Sequence, residues 1–283
     1  QFKMLGVSLF INKKLTVLSE EFKNGGRTEP FSFLICGGGF TGIELAAELG
    51  CCSKVIKAKC RLHGRCSSIT LFEAGAKILP TISEKERKFI KNRLTKLGII
   101  LMENSPIEEI GPDFVKLKTS QKINGDFIIW TAGIKPNRLL ADINGLPFSS
   151  SGRIQVENSL KVEGLEKVYA IGDAIEFINS EGQKPVPAFA YVAIDQGKIA
   201  AQNIYNSIKN KEPRPYKPSS SVWIIPIGGK FALAHLWGGA LIKGFWGWVV
   251  RELVDIRYLL SIFSLKKAVE VFFNEITIFS KND

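Results

Sequence analysis

The 283-residue sequence is 45% apolar and carries a formal net charge of +11, which supplies enough apolar side chain for one large core or two smaller ones. This composition excludes collagenous, disordered and low-complexity classes, and no internal repeat is visible. The basic balance points to an anionic partner. A phosphate-bearing ligand or an acidic lipid surface ranks ahead of nucleic acid, because the positive charges are spread out and no RNA-reading aromatic motif accompanies them.

In chain order, residues 1–30 read as a connecting helical segment closed by the polar loop NGGRTEP. FSFLIC (31–36) is a buried strand by its continuous apolar run. A helix carrying Ile43, Leu45, Ala46 and Leu49 follows. SSITLFEAG (67–75) is a second strand that ends in an acid. Ser83 and Glu86 have capping-box spacing at the head of a helix over 83–96, which Gly98 stops. IILM, FVKLKT and DFIIWTAG read as short strands, and VYAIGDA (168–174) as another. A helix spans about 189–209, and KNKEPRPYKPSSS reads as a boundary. The alternation predicts an α/β fold with a parallel sheet, interrupted by an antiparallel ribbon.

Five cysteines, Cys36, Cys51, Cys52, Cys60 and Cys66, lie in one third of the chain. The odd count predicts reduced thiols in an intracellular setting. Cys52, Cys60, His63 and Cys66 match no standard zinc spacing, so no metal is expected.

The motif with the clearest chemistry is CGGGFTGIELAAEL, residues 36–49. Gly37, Gly39 and Gly42 satisfy G-x-G-x-x-G between a strand and a helix. The first permits a tight turn, the second lets backbone approach a pyrophosphate, and the third lets helix and strand pack closely. The helix start then presents N–H groups to phosphate. Glu73 ends the next strand, where an acid accepts ribose hydroxyls and repels a 2′-phosphate; this favours NAD(H) over NADP(H), with Lys77 nearby as a counter-signal. Glu44, two residues past the loop, either complements the helix dipole or works at the site.

GGGFTGIELAAEL, WTAGIKPN, VYAIGDA and PAFAYVAIDQGKIAAQNI, in that order, resemble type II NADH dehydrogenases of the two-dinucleotide-binding flavoprotein superfamily. The resemblance runs from about residue 30 to the end. It implies a Rossmann-like NAD-binding domain inserted in an FAD domain, the cofactors FAD and NAD(H), and a quinone as electron acceptor. By resemblance Gly37, Gly39, Phe40, Thr41, Gly42 and Glu73 would hold NADH, with Ala132 and Gly133 close to the dinucleotide. Glu44 would lie near nicotinamide and flavin. Gly172 and Asp173 would meet the ribityl chain, and Ala190, Tyr191 and Gln196 would border the isoalloxazine and the quinone entrance. Ala190-Tyr191 and Asp195-Gln196 stand where the family has Ala-Gln and a paired glutamine, a departure that bears on quinone specificity. The family's first FAD-binding glycine loop is not found between Gln1 and the loop at 36–49, so an N-terminally truncated chain with an incomplete FAD domain is expected.

In the tail, VWIIPIGGKFALAHL reads as a strand pair around Gly228-Gly229, and residues 238–273 carry helical periodicity. Trp246, Val249, Leu253, Ile256, Leu260 and Phe263 form an apolar stripe opposite Lys243, Gly247, Arg251 and Asp255. Charges are too frequent for a spanning helix. A helix in a membrane interface and a helix on the protein's own core both fit. The resemblance implies attachment to the cytoplasmic face of a membrane and a homodimer contact. The expected plan is a connecting segment (1–30), an NAD(H) domain (31–145), the C-terminal part of an FAD domain (146–212) and a membrane-association or dimerisation region (213–283). Two alternatives stay open. One is an NAD(H)-binding module inert without a separate FAD half. The other is a sulfide:quinone oxidoreductase, disfavoured because every cysteine precedes residue 67. No C-x-x-C pair supports a disulfide reductase.

Overall fold

The computed structural model describes residues 11, 13–18, 20–21, 24–26, 28–60, 67–178, 185–186, 188–218 and 222–280. The chain divides into two compact units, residues 1–133 with 221–283, and residues 134–220.

The first unit is built on a four-stranded parallel sheet of order β3-β2-β1-β7. β1 (Phe31–Cys36) and β2 (Ser67–Phe72) pair in register from Phe31↔Ser67 to Cys36↔Phe72. β3 (Ile100–Met102) adds beside β2, and β7 (Phe127–Trp130) beside β1. Both strands at the centre are buried on both faces, as their unbroken apolar runs predict. Helix α1 (Phe40–Cys60) follows β1 and α2 (Glu84–Lys96) follows β2. The expected capping box is present: Ser83 Oγ accepts the Glu86 N–H and the Glu86 carboxylate accepts the Ser83 N–H. Between β3 and β7 lies an antiparallel ribbon of β4 (Ile107–Ile110), β5 (Phe114–Leu117) and β6 (Lys122–Asn124). Of the three short strands read from the sequence only FVKLKT falls in it, while IILM and DFIIWTAG join the parallel sheet.

The tail belongs to this same unit. β10 (Trp223–Pro226) and β11 (Ala232–His235) form the anticipated hairpin. Ile225, Ile227 and Leu233 join Phe31, Ile43 and Ile90 in one hydrophobic cluster. Gly228 sits so close to α1 that a side chain there would meet the Ala47 carbonyl oxygen at 2.5 Å. Arg93 fastens the turn by donating to the Ile227 and Gly228 carbonyls at 3.1 and 3.0 Å. Where helical periodicity was expected throughout 238–273, a third strand, β12 (Leu241–Gly244), pairs with β11 before α4 (Phe245–Ile262) and α5 (Leu265–Ser280) begin. Pairing along β11 overrides local periodicity there.

The second unit holds a short parallel pair, β8 (Ile154–Gln155) and β9 (Ile175–Glu176), and helix α3 (Ala190–Ile208). Its core is Ile154, Leu160, Val162, Ile175, Phe177, Val192, Ala200 and Tyr216. Two sequence expectations are corrected here. VYAIGDA is not a strand: Tyr169 makes one isolated bridge to Lys161 and Gly172–Ala174 is a 3-10 turn. Val168 and Ile171 are exposed, so the segment lacks the neighbours that hold an apolar strand among the described residues. The presumed linker after α3 is partly core, since Tyr216 is buried and Asn203 binds the Arg214 backbone through both its amide groups.

The cysteine cluster at 52–66 cannot be placed, because His63 and Cys66 fall outside the described residues. Among the described residues Cys36, Cys51 and Cys52 are free thiols, and no group of side chains has the makings of a metal site.

Candidate functional site

In the first unit the glycine loop leaves the end of β1 and turns into α1. Gly37 has φ 123°, and a side chain there would press on the Ala132 nitrogen at 2.7 Å. A Cβ on Gly42 would overlap the Gly37 carbonyl oxygen, so only glycine lets α1 come this close to β1. Gly39 is different. Its φ lies outside the left-handed range and nothing stands within 4 Å of a Cβ placed on it. The protein itself does not demand glycine there, yet the open space lies at a helix start, where a pyrophosphate would fit. Thr131 closes the back of the loop, its hydroxyl reaching the carbonyls of Cys36 and Gly37 at 3.0 and 3.1 Å. Ala132 and Gly133 follow, both exposed, with Gly133 at φ 101°.

Glu73 braces the loop from the end of β2. One carboxylate oxygen accepts the Gly38 N–H at 2.9 Å and the other the Gly75 N–H at 2.7 Å. Each oxygen keeps a second lone pair for a ribose hydroxyl. The 78–82 segment that covers this corner is itself held by buried Arg87, which donates to the carbonyls of Ile78, Leu79 and Ile82. Phe40, the first residue of α1, is half-buried with its ring edge against Trp223, while Thr41 is exposed.

Glu44 is half-buried one turn into α1. Burial pushes its carboxyl up from the ordinary 4.5 to about 7, although the Arg251 guanidinium pulls the other way. Arg251, on α4, also pairs with Glu252 at 3.2 Å and Asp255 at 3.4 Å, and burial raises both of those carboxyls too. A carboxyl whose native pKa exceeds its unfolded value costs stability as pH rises, and for Glu44 that cost develops between 4.5 and about 7. Glu44→Gln is therefore expected to be more stable than wild type by about 3 kcal/mol near pH 8 and equal to it at about pH 4 and below, read by urea unfolding.

In the second unit Gly172, with φ 68°, and exposed Asp173 form the 3-10 turn. Gln196 is 2% exposed and its side-chain oxygen accepts the Gly172 N–H at 2.7 Å, so it locks this turn to α3. A cavity of about 230 Å³ opens beside them, lined among others by Arg153, Gly172, Glu176, Phe189 and Gln196. Arg153 donates to the Asp173 carbonyl at 3.3 Å. Ala190 is exposed at the start of α3, a 19-residue helix with no side-chain cap at its N-terminus. Tyr191 stacks on Phe189 at 5.7 Å, and burial followed by the Asp195 charge raises its phenol pKa. An uncapped helix start, an exposed carboxylate and an adjoining cavity suit one end of a flavin.

The structure thus gathers Gly37, Gly39, Phe40, Thr41, Gly42, Glu73, Ala132 and Gly133 around one loop, and Gly172, Asp173, Ala190, Tyr191 and Gln196 around one turn. Sequence reasoning missed the work of Thr131, Arg153 and Arg251. Thr131 stood in the quoted WTAGIKPN, and Arg251 in the polar stripe of the tail, but neither spacing reveals its distant partners.

The tail helix exposes much of its apolar stripe. Gly247, Glu252 and Leu259 are buried, whereas Trp246 is 68% and Leu253 62% exposed, with Leu260 and Phe263 exposed beside them. Among the described residues no helix is long and apolar enough to cross a membrane.

Comparison with known proteins agrees with this geometry. The chain is 29% identical over 220 residues to a type II NADH:quinone oxidoreductase of Haemophilus influenzae, covering 77% of this chain and 49% of that protein. It is 29% identical over 227 residues to a mitochondrial internal alternative NAD(P)H-ubiquinone oxidoreductase A1 of Solanum tuberosum, covering 79% and 43%. The chain therefore spans about half the length of the curated relatives it matches. Its fold resembles that of NDH2 from Plasmodium falciparum in complex with NADH, with a TM-score of 0.81 and 17% identity over 97% of this chain and 72% of that one. Residues 15–197 match the pyridine nucleotide-disulphide oxidoreductase family, and the chain belongs to that family.

Proposed function

We propose that this chain carries the NAD(H) site and part of the FAD site of an FAD-dependent NADH:quinone oxidoreductase working at a membrane surface. The observation that carries the reading is the loop: Gly42 is required by packing, while among the described residues nothing stands close enough to Gly39 to require glycine there, which leaves space for a ligand. The substrates are taken from the names of the relatives: NADH and a quinone from the Haemophilus protein, NAD(P)H and ubiquinone from the Solanum one.

On this reading Gly37, Gly39, Phe40, Thr41 and Gly42 hold the pyrophosphate. Glu73 keeps the loop in shape and takes the ribose hydroxyls, which selects NADH over NADPH. Ala132 and Gly133 flank the dinucleotide. Gly172, Asp173 and Ala190 receive one end of FAD, and Tyr191 with Gln196 borders the acceptor's approach. FAD, when bound, supplies the two-electron chemistry. Glu44, with a carboxyl pKa of about 7, holds or releases a proton at neutral pH beside the nicotinamide.

The exposed apolar side of α4, with Phe245 and Trp246 at one end and Lys266 and Lys267 past the other, suits a helix lying in an anionic lipid interface. Peripheral attachment on the cytoplasmic face, and a homodimer contact through the same region, complete the proposal.

One preparation tests the reading. The purified chain, mixed with FAD and anionic vesicles, is assayed for NADH binding, flavin uptake, vesicle co-sedimentation and NADH-dependent reduction of a short-chain ubiquinone. All four are expected if the flavin site is sufficient in this chain. NADH binding without flavin uptake or quinone reduction favours an NAD(H) module completed by a separate FAD half. Absence of NADH binding sinks both.

A further inference from the structure

Of residues 37–42 only Phe40 and Thr41 carry side chains, and Thr41 is exposed. Beside the braces that Glu73 and Thr131 supply from outside, Phe40 is thus the half-buried side chain of the glycine loop itself, and what it rests on is a second feature of the fold. Its ring meets Trp223 edge-on, with centroids 5.4 Å apart and planes at 72°. The indole in turn stacks on the His235 imidazole at 5.4 Å and 19°. That stack is fixed by strand register, because Trp223 and His235 are direct cross-strand partners of β10 and β11. His235 is held as well: its Nδ1 lies 2.5 Å from Glu86 Oε1. The other Glu86 oxygen receives the Ser83 N–H at 2.7 Å and the Ser83 hydroxyl at 2.5 Å. An unbroken series of contacts therefore runs from the capping box of α2, through the β10–β11 pair, to the residue directly after Gly39.

Ordinary core packing would be met by any apolar side chain of the right volume. An edge-to-face aromatic contact adds direction, since ring quadrupoles fix the angle as well as the distance. Direction matters here because Phe40 opens the helix whose first turn faces the open space beside Gly39. A helix start tilted away from the phosphate position loses both its N–H alignment and the favourable dipole.

We infer that Trp223 is a positioning residue for dinucleotide binding: clamped between Phe40 and the His235–Glu86 pair, it orients the first turn of α1 toward the pyrophosphate. The inference rests on the NAD(H) reading of the loop and adds to it a determinant 183 positions downstream of Phe40 in the numbering (223 less 40). Trp223 touches no reacting atom. Its effect falls on dinucleotide affinity.

The test is NADH titration of the 283-residue chain, following the fluorescence of NADH itself so that removing a tryptophan does not remove the signal. Trp223→Ala is expected to weaken binding about tenfold, equivalent to about 1.4 kcal/mol, and Trp223→Phe to restore it to within about twofold. His235→Ala, which keeps the indole but frees its other face, is expected to weaken binding about threefold, with recovery in His235→Phe. Thermal melting of each variant separates affinity from folding. Wild-type affinity in a folded Trp223→Ala, or a folded Trp223→Phe as weak as the alanine variant, overturns the inference and leaves the NAD(H) reading intact. Should Trp223→Ala not fold, the His235 pair decides: a loss on alanine restored by phenylalanine supports the role, and no loss overturns it. If the wild-type chain itself does not bind NADH, the loop reading falls and this inference with it.

Discussion

Gly42→Ala loses measurable NADH binding and about 3 kcal/mol of stability, because its methyl group would occupy the position of the Gly37 carbonyl oxygen at the crossing of β1 and α1. Gly39→Ala separates the two effects. Its methyl group enters open space, so stability stays within about 0.5 kcal/mol of wild type, yet NADH affinity still drops by about tenfold or more as the methyl group takes the place of the phosphate. Urea unfolding and NADH titration, run side by side on both variants, check the pair. Equal NADH affinity in Gly39→Ala and wild type would remove the case for a dinucleotide in this loop.

Arg251→Met is the second large effect. The guanidinium is the counter-charge shared by Glu44, Glu252 and Asp255, and burial already raises all three carboxyls. Removing it strands these carboxylates and is expected to cost about 3 kcal/mol near neutral pH. Most of the cost comes from Glu44 and Glu252, since Asp255 keeps enough water contact to be screened. The loss is pH-dependent with a definite sign. As pH falls through the raised pKa values the carboxyls take up protons, the missing counter-charge matters less, and variant and wild type converge. Unfolding free energies from about pH 5 to about pH 8 follow this directly. A loss that is constant across that range would mean that Arg251 acts through packing alone.

How much of this was legible in the sequence differs from element to element. β1, β2, α1 and the Ser83–Glu86 capping box were readable because each is decided locally: by a continuous apolar run, a glycine spacing or a four-residue signature. The same holds for Gly37, Gly39 and Gly42, whose spacing is itself the turn. VYAIGDA misled for the opposite reason. An apolar run is strand-forming only where neighbours pair with it, and pairing is a property of distant segments. The tail was legible in its period but not in its direction. A helical stripe of Trp246, Leu253 and Leu260 looks the same in sequence whether it faces the core or the solvent, and only the burial of Gly247 and Glu252 decides. Trp223 and Arg251 carry no local signal at all, because each acts on α1 from a segment more than 150 positions later in the chain.

The discontinuity of the first unit bears on how the chain is made. Arg93 binds the Ile227 carbonyl across 134 positions, and the Gly229 N–H points at Glu48 across 181. A ribosome emitting the chain from its N-terminus releases β1, α1, β2 and α2 long before the meander that completes their core. Until residues 223–235 emerge, the surfaces of Ile43, Ala47 and Ile90 that they will cover stay open to water and to other chains. Contacts of such sequence separation also make the closing step slow. The second unit is one continuous stretch, residues 134–220, with its own core, so it is able to fold during that wait. On the proposed reading the glycine loop, resting on Trp223, is then among the last features to reach its final shape, and NADH binds only after residues 223–235 have left the ribosome.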